Sequence, residues 1–274
     1  MNNAELQKAV RFIKKSGNYS ARCAIILGSG LGDFADTLEN KVKIPTSGIP
    51  GYPKSTVEGH SGYLVFGKHK NIPLMAIQGR THYYEGYTMR EVTFVIRIVQ
   101  ALGIKLLMVT NAAGGINPDF VPGDLMLITD HVNFLFDNPL RGPMDFGGSR
   151  FPDMSDPYSS KYHDRIEQIA RNRGISLKKG VLWASTGPSY ETKAEVEMIR
   201  KYGGDAGSMS TAPEVIAAVQ AGLEVIGISC ITNYATGSSS KKLSHSEVTE
   251  TAQNVKKQFV DLISGILTEL IQNI

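Results

Sequence analysis

Short apolar runs alternate with amphipathic stretches along almost the whole of this chain. The runs are Cys23–Leu27, Tyr63–Phe66, Pro73–Ile77, Lys105–Val109, Leu125–Ile128, Val181–Ala184 and Val225–Ile231, rich in Val, Ile and Leu. Their length and branching suit buried strands. Between them, Val92, Val95, Ile96, Val99 and Leu102 recur at helical spacing. A long last helix is marked by Val255, Phe259, Leu262, Ile263, Ile266, Leu267 and Leu270. This alternation predicts an α/β fold with a mixed, mostly parallel central sheet flanked by helices. Neither an internal repeat nor a Ser/Gly linker divides the chain, so residues 1–274 are read as a single domain. From Phe136 to Ser160 the pattern lapses into Gly, Pro and Asp. Irregular stretches that long are usually lids, binding loops or interface segments.

Composition narrows the classes of function. At 274 residues, 42% hydrophobic and 20% charged, the chain reads as an ordinary soluble globular protein. A net charge of +3, evenly spread, gives no nucleic-acid footprint. No apolar run is long enough for a membrane span, and the N-terminal residues lack the apolar core of a signal peptide. The two cysteines, Cys23 and Cys230, sit in apolar runs and read as buried thiols of a reducing cytoplasm. No Cys/His cluster has metal-ligand spacing.

The polar residues are more telling. Arg80, His82 and Tyr84 stand two apart in Gln78-Gly79-Arg80-Thr81-His82-Tyr83-Tyr84-Glu85-Gly86-Tyr87. In an extended backbone they share one face. A guanidinium and an imidazole on one face suit an anion; an exposed polar edge strand would look the same. Ser or Thr followed three residues later by Glu marks a helix start at Thr88, Thr192, Thr211 and Ser244. Beside these starts lie Arg80, His82 and Tyr84, then Tyr190 and Glu191, then Met209 and Ser210, then His245. Ligands of open α/β sheets bind where strands end and helices begin, and helix N-termini favour anions.

Other segments admit two readings each. Gly28-Ser29-Gly30-Leu31-Gly32 is either a phosphate-cradling turn or a plain strand-to-helix turn. It is neither the dinucleotide fingerprint nor a Walker A loop. Asn111-Ala112-Ala113-Gly114-Gly115 is either a ligand platform or a turn. His60 either caps a turn or touches an anion. Glu191 either complements a helix start or belongs to a site. Asn233, at the end of an apolar strand, is either a turn former or a ligand group.

Taken in order, these segments resemble the purine nucleoside phosphorylases of the trimeric, low-molecular-mass type. Gly187-Pro188-Ser189-Tyr190-Glu191-Thr192, Met209-Ser210-Thr211, Ile231-Thr232-Asn233 and Ser244-His245 complete the set, which spans nearly the whole chain. The resemblance implies a phosphate site of Ser29, Arg80, His82, Ser210 and the backbone near Ala112, with His60 close by. It implies a purine site of Glu191 and Asn233, with Tyr190 packed on the base, and a ribose site of Tyr84, Met209 and His245. Phe151 of a neighbouring subunit would complete that site, which implies a homotrimer. Gly207-Ser208 stands where the family usually has Val-Gly, and Tyr190 where Phe is common; all three positions are expected near the base.

The implied reaction is phosphorolysis of 6-oxopurine (deoxy)ribonucleosides to free base and (deoxy)ribose 1-phosphate. Asn233, Glu191 and His82 would act on the reacting groups. Asn233 can donate to N7 or O6 of the departing purine, and ionised Glu191 can accept from N1–H. His245, in the first turn of a helix, would be held neutral by the macrodipole and bond the ribose 5′-hydroxyl. Phosphate is a co-substrate; no metal, organic cofactor, nucleic acid or membrane is called for. The rivals on the same fold are a xanthosine-preferring phosphorylase and a methylthioadenosine phosphorylase, and outside enzymes a non-catalytic nucleoside sensor.

Overall fold

The computed structural model describes residues 2–17, 19–56, 62–144, 146–237 and 245–273. Helix α1 (Asn3–Ser16) is closed at its start by a reciprocal Asn2–Glu5 capping box and leads into β1 (Cys23–Leu27). Then follow β2 (Glu39–Pro45), β3 (Tyr63–His69) and β4 (Ile72–Gln78). The predicted helix after them is two, α2 (Met89–Val92) and α3 (Phe94–Ala101), separated at Thr93. Thr93 turns its hydroxyl back onto the Met89 carbonyl at 2.8 Å, a bond that competes with the helical ladder. Strands β5 (Leu106–Gly115) and β6 (Leu125–Phe134) come next. They are followed by α4 (His163–Asn172), β7 (Leu177–Ser185), α5 (Lys193–Lys201), β8 (Ala206–Ser208) and α6 (Ala212–Gln220). The chain closes with β9 (Glu224–Tyr234), α7 (His245–Asn254) and α8 (Lys256–Glu269).

All seven predicted strands are present, and most run longer than their apolar cores. Among the described residues the sheet has nine strands in the order β2-β3-β4-β1-β5-β8-β7-β6-β9, and β9 returns to pair with β5. The last five strands thus form a ring, which leaves no open edge there. Pairings β1–β4, β1–β5, β5–β9, β6–β7 and β7–β8 are parallel, whereas β2–β3, β3–β4, β5–β8 and β6–β9 are antiparallel. The mixed, mostly parallel sheet of the sequence reading is therefore observed.

Alternate residues of β1 face opposite cores. Ala24 and Ile26 pack with α1 and α3 through Ala9, Ile13, Phe94 and Ile98. Cys23, Ile25 and Leu27 pack with α4 and α8 through Ile166, Ile169, Phe259 and Ile263. Each large apolar side chain buried this way contributes about 1.5–3 kcal/mol. Among the described residues no helix is long and apolar enough to cross a membrane.

Candidate active site

The parallel core of the sheet leaves its strand ends on one side of the molecule, and a cleft with about 780 Å³ of empty space opens there. That space is continuous with solvent, and polar and apolar side chains line it together, as in a small-molecule site. Its walls come from the segment after β1 (Ser29), the segment after β4 (Arg80, His82, Tyr84) and the end of β5 (Ala112–Gly114). The segment before α5 adds Tyr190 and Glu191, β8 with its exit adds Gly207 to Ser210, and the end of β9 adds Thr232 and Asn233. Val248 brings α7 to the rim.

The Arg80 segment departs from the sequence reading. Strand β4 stops at Gln78, Gly79 takes φ +105°, and Tyr83–Glu85 form a short 3-10 turn. Tyr84 thus shares a face with His82 through the turn, not through an extended strand; their rings stack at 4.7 Å and 14°. An exposed edge is ruled out, since Arg80 and His82 are 6% and 7% exposed. Arg80 Nη1 donates to Ser210 Oγ at 3.0 Å and Nη2 to the Thr110 carbonyl at 3.1 Å. Its Nε lies 2.7 Å from Glu214 Oε1.

Glu85 fixes the imidazole beside it. Its Oε1 accepts from the His82 backbone N–H at 2.6 Å and lies 3.2 Å from His82 Nδ1. Its Oε2 accepts from the Thr56 N–H and hydroxyl. Burial alone would raise the Glu85 carboxyl, but these hydrogen bonds from His82 and Thr56 outweigh it and hold the pKa at about 2. An ionised carboxylate only accepts, so Nδ1 of His82 is the donor. The Tyr84 phenol is pushed up to about 12, by burial first and then by Glu85 and Tyr190 against the opposing Arg80. It stays a neutral hydroxyl.

The Asn111–Gly115 segment is not a turn. It continues β5, parallel to β9, with a register irregularity at Ala113/Gly114. Packing between two neighbours overrides the poor strand propensity of glycine. Small size is what the place requires: a Cβ on Gly114 would lie 3.1 Å from Asn233 Nδ2. The segment after β1 is a turn, with Gly30 at φ +76° and Leu31 N–H donating to the Gly28 carbonyl at 3.0 Å. It leads into a 3-10 turn, Gly32–Thr37, not an α-helix.

Asn233 is held at both ends of its amide. The Thr232 hydroxyl donates to Oδ1 at 2.9 Å, and Nδ2 donates to the Tyr234 carbonyl at 3.0 Å. Glu191 lies across the cleft wall at Gly207, where a Cβ would be 3.7 Å from its Oε1. Ser208 turns its hydroxyl the other way, to the Ala112 carbonyl at 3.2 Å and to within 3.3 Å of Ser210 Oγ. Gly187 takes φ +65°, and a Cβ there would overlap Met209 Sδ, so the segment carrying Tyr190 and Glu191 packs tightly on Met209.

The cleft thus brings together Ser29, Arg80, His82, Tyr84, Ala112, Tyr190, Glu191, Gly207, Ser208, Met209, Ser210 and Asn233. Phe151 is not among them; its ring is 86% exposed on the long loop. His60, Ser244 and the side chain of His245 lie outside the described residues. Capping boxes at Thr88, Thr192 and Thr211 are present. Sequence reasoning did not single out Ile116, Ala235 or Val248, whose apolar character carries no chemical signal. Glu214 stood out only as a capping partner.

A family model described as the Phosphorylase superfamily matches residues 22–268. The chain is 49% identical over 274 residues to purine nucleoside phosphorylase 1 of Geobacillus stearothermophilus, covering 100% of each. It is 51% identical over 266 residues to purine nucleoside phosphorylase 1 of Bacillus subtilis (strain 168), covering 96% of this chain and 98% of the relative. A crystal structure of schistosoma purine nucleoside phosphorylase in complex with hypoxanthine superposes with a TM-score of 0.92 at 35% identity, covering 98% of each chain. With the motifs gathered in one cleft and these likenesses running its full length, the chain belongs to the purine nucleoside phosphorylases of the phosphorylase superfamily.

Proposed function

We propose that this protein phosphorolyses 6-oxopurine ribonucleosides and deoxyribonucleosides, inosine and guanosine foremost, to the free base and (deoxy)ribose 1-phosphate. One observation carries the reading: a single cleft joins an anion-binding set, Arg80, His82 and Ser210, to a base-complementary pair, Glu191 and Asn233. The hypoxanthine held by the schistosoma relative supports a 6-oxopurine.

Phosphate binds to Arg80, His82, Ser29, Ser210 and the backbone at Ala112, with His60 beside it. Held there, the dianion faces the anomeric carbon and stabilises the oxocarbenium-like sugar as the glycosidic bond breaks. As the bond breaks, its electron pair leaves with the purine, and phosphate oxygen closes on C1′. Asn233 donates to N7 or O6 as charge builds on the base, while Glu191 accepts from N1–H. Tyr190 packs on the base against the wall of Gly207 and Ser208. Tyr84, Met209 and His245 hold the ribose, and Phe151 closes the site of a neighbouring subunit in a homotrimer. The whole of 1–274 acts as one domain and needs no cofactor beyond its co-substrate. We place it in the cytoplasm, a reading supported by the buried unpaired thiols Cys23 and Cys230.

The test is release of base from inosine, guanosine, xanthosine and adenosine, with and without phosphate. Phosphate-dependent release from inosine and guanosine is expected. Release without phosphate, or none from either nucleoside, overturns the reading; xanthosine or adenosine as best substrate redirects it to the rivals.

A further inference from the structure

Glu214 is buried beneath the cleft, its side chain 2% exposed. It touches two elements of the site at once. Oε1 lies 2.7 Å from Arg80 Nε, and Oε2 accepts from the Thr211 backbone N–H at 2.9 Å. Thr211 is unusual. It takes φ +80° and ψ −51°, and the Ala212 N–H donates to the Ser210 carbonyl at 3.0 Å. That is a γ-turn of the positive-φ kind, which is rare and strained for a residue with a Cβ.

The other capping boxes show what an ordinary one looks like here. Thr88 and Thr192 take φ −68° and −73°, and their partners Glu91 and Glu195 accept from their N–H groups. Neither Thr is strained. At Thr211 the hydroxyl accepts from Asn111 Nδ2 at 2.9 Å, tying the turn to β5. The strained turn presents Ser210, whose hydroxyl accepts from Arg80 Nη1. A helix cap alone needs neither the strain nor the burial. A buried ion pair is also seldom a net gain in stability over apolar side chains of the same size.

We infer that Glu214 is a positioning residue for phosphate: one carboxylate holds Arg80 by Nε and the strained Ser210–Thr211 turn by its N–H, fixing two phosphate-binding groups relative to each other. Both oxygens are engaged, Oε1 by the charge of Arg80 and Oε2 by the Thr211 N–H. A glutamine removes the charge that pairs with Arg80 and has one acceptor oxygen, so its amide N–H₂ must face either the guanidinium or the Thr211 N–H. This inference rests on the reading of the Arg80–Ser210 pocket as the phosphate site.

The test compares wild type with Glu214→Gln and Glu214→Asp in the full-length protein. Inorganic phosphate alone is titrated by calorimetry. KM is measured for phosphate at saturating inosine and for inosine at saturating phosphate. In Glu214→Gln the phosphate Kd and KM should rise about tenfold or more, the scale of a lost charged hydrogen bond, while inosine KM moves by less than about threefold. Glu214→Asp keeps both oxygens on a shorter stem and should fall between. A folded Glu214→Gln with unchanged phosphate constants, or with both substrates weakened equally, overturns the inference. If Glu214→Gln does not fold, Glu214→Asp decides in the same way: a selective phosphate defect supports the role and an unchanged phosphate constant ends it. Calorimetry reads phosphate without any nucleoside. Wild type that binds phosphate but releases no base would defeat the phosphorylase reading and leave the Glu214 comparison standing.

Discussion

Replacing Asn233 by Asp tests how the cleft tells a 6-oxopurine from adenine. The side chain is 5% exposed, so any polar mismatch there is felt in full. Its amide is oriented by two fixed neighbours, the Thr232 hydroxyl on Oδ1 and the Tyr234 carbonyl on Nδ2. Neither contact involves Glu191. In this orientation the nitrogen is the end that can offer a hydrogen to O6 or N7. An aspartate keeps the bond from Thr232 but puts oxygen where nitrogen was, 3.0 Å from the Tyr234 carbonyl. Two acceptors then face each other, and O6 of inosine meets a third. Leaving a buried polar group unpaired costs roughly 1–3 kcal/mol, about ten- to a hundredfold in efficiency for inosine. Adenosine presents an amino donor instead and should lose less or gain.

The pH dependence has a definite sign. A buried carboxyl facing a carbonyl is raised above the ordinary aspartate value, and its protonated form can donate again. Inosine activity of Asn233→Asp should therefore recover as pH falls through that raised pKa, a trend an amide cannot show. Efficiency for inosine and adenosine is measured across pH in both proteins, alongside Thr232→Val, which removes one of the two bonds that orient the amide. Thr232→Val should reduce the preference for inosine by about three- to tenfold, a fraction of the same penalty. An inosine-to-adenosine ratio that does not move toward adenosine in a folded Asn233→Asp refutes the reasoning. Discrimination would then belong to Glu191 and the Gly207 wall.

Arg80→Lys should raise the phosphate KM about ten- to a hundredfold, since an ammonium cannot hold Ser210, Thr110 and Glu214 in one plane; unchanged phosphate dependence removes Arg80 from the site. Arg80→Ala should also unfold more readily, by about 3–5 kcal/mol in denaturant melts, because buried Glu214 loses its ion-pair partner. The Glu85 carboxyl titrates at about 2 in the fold against 4.5 ordinarily, so its contribution is full above about pH 4.5 and fades as pH falls toward 2. Glu85→Gln should then be less stable than wild type near neutrality, by at most about 3 kcal/mol, and equal to it near pH 2; urea midpoints that stay parallel across this range contradict the depressed value. Phe151→Ala should cost activity in a particle that sedimentation shows to hold three chains, since aromatic anchors are costly to remove at interfaces; a fully active monomer ends both roles.

Strands were legible where burial on both faces demanded continuous Val, Ile and Leu, as in Cys23–Leu27 and the core of β9. Two strands lacked that signal. Strand β2 reads Glu-Asn-Lys-Val-Lys-Ile-Pro, exposed at all but Ile44, and β8 is the three small residues Ala206–Ser208. Their places are set by neighbours, β3 for one and β5 with β7 for the other, which no local window contains. The same holds for Asn111–Gly115, whose glycines suggest a turn until β9 is laid beside them.

Part of the cleft was legible before its geometry, for a physical reason. Arg80, His82 and Asn233 follow apolar strands at points where a core has no use for charge or amide, so their chemistry was visible before their geometry. Glu214 is the opposite case. In sequence it matches Glu91 and Glu195, each three residues after a threonine at a helix start. What separates it is Arg80, brought beneath that helix from the far end of β4, and a backbone turn at Thr211 whose φ no pattern announces. Polar residues that line the cleft advertise themselves by being out of place. A residue that holds them in place is hidden, because its local reason for being there is already sufficient.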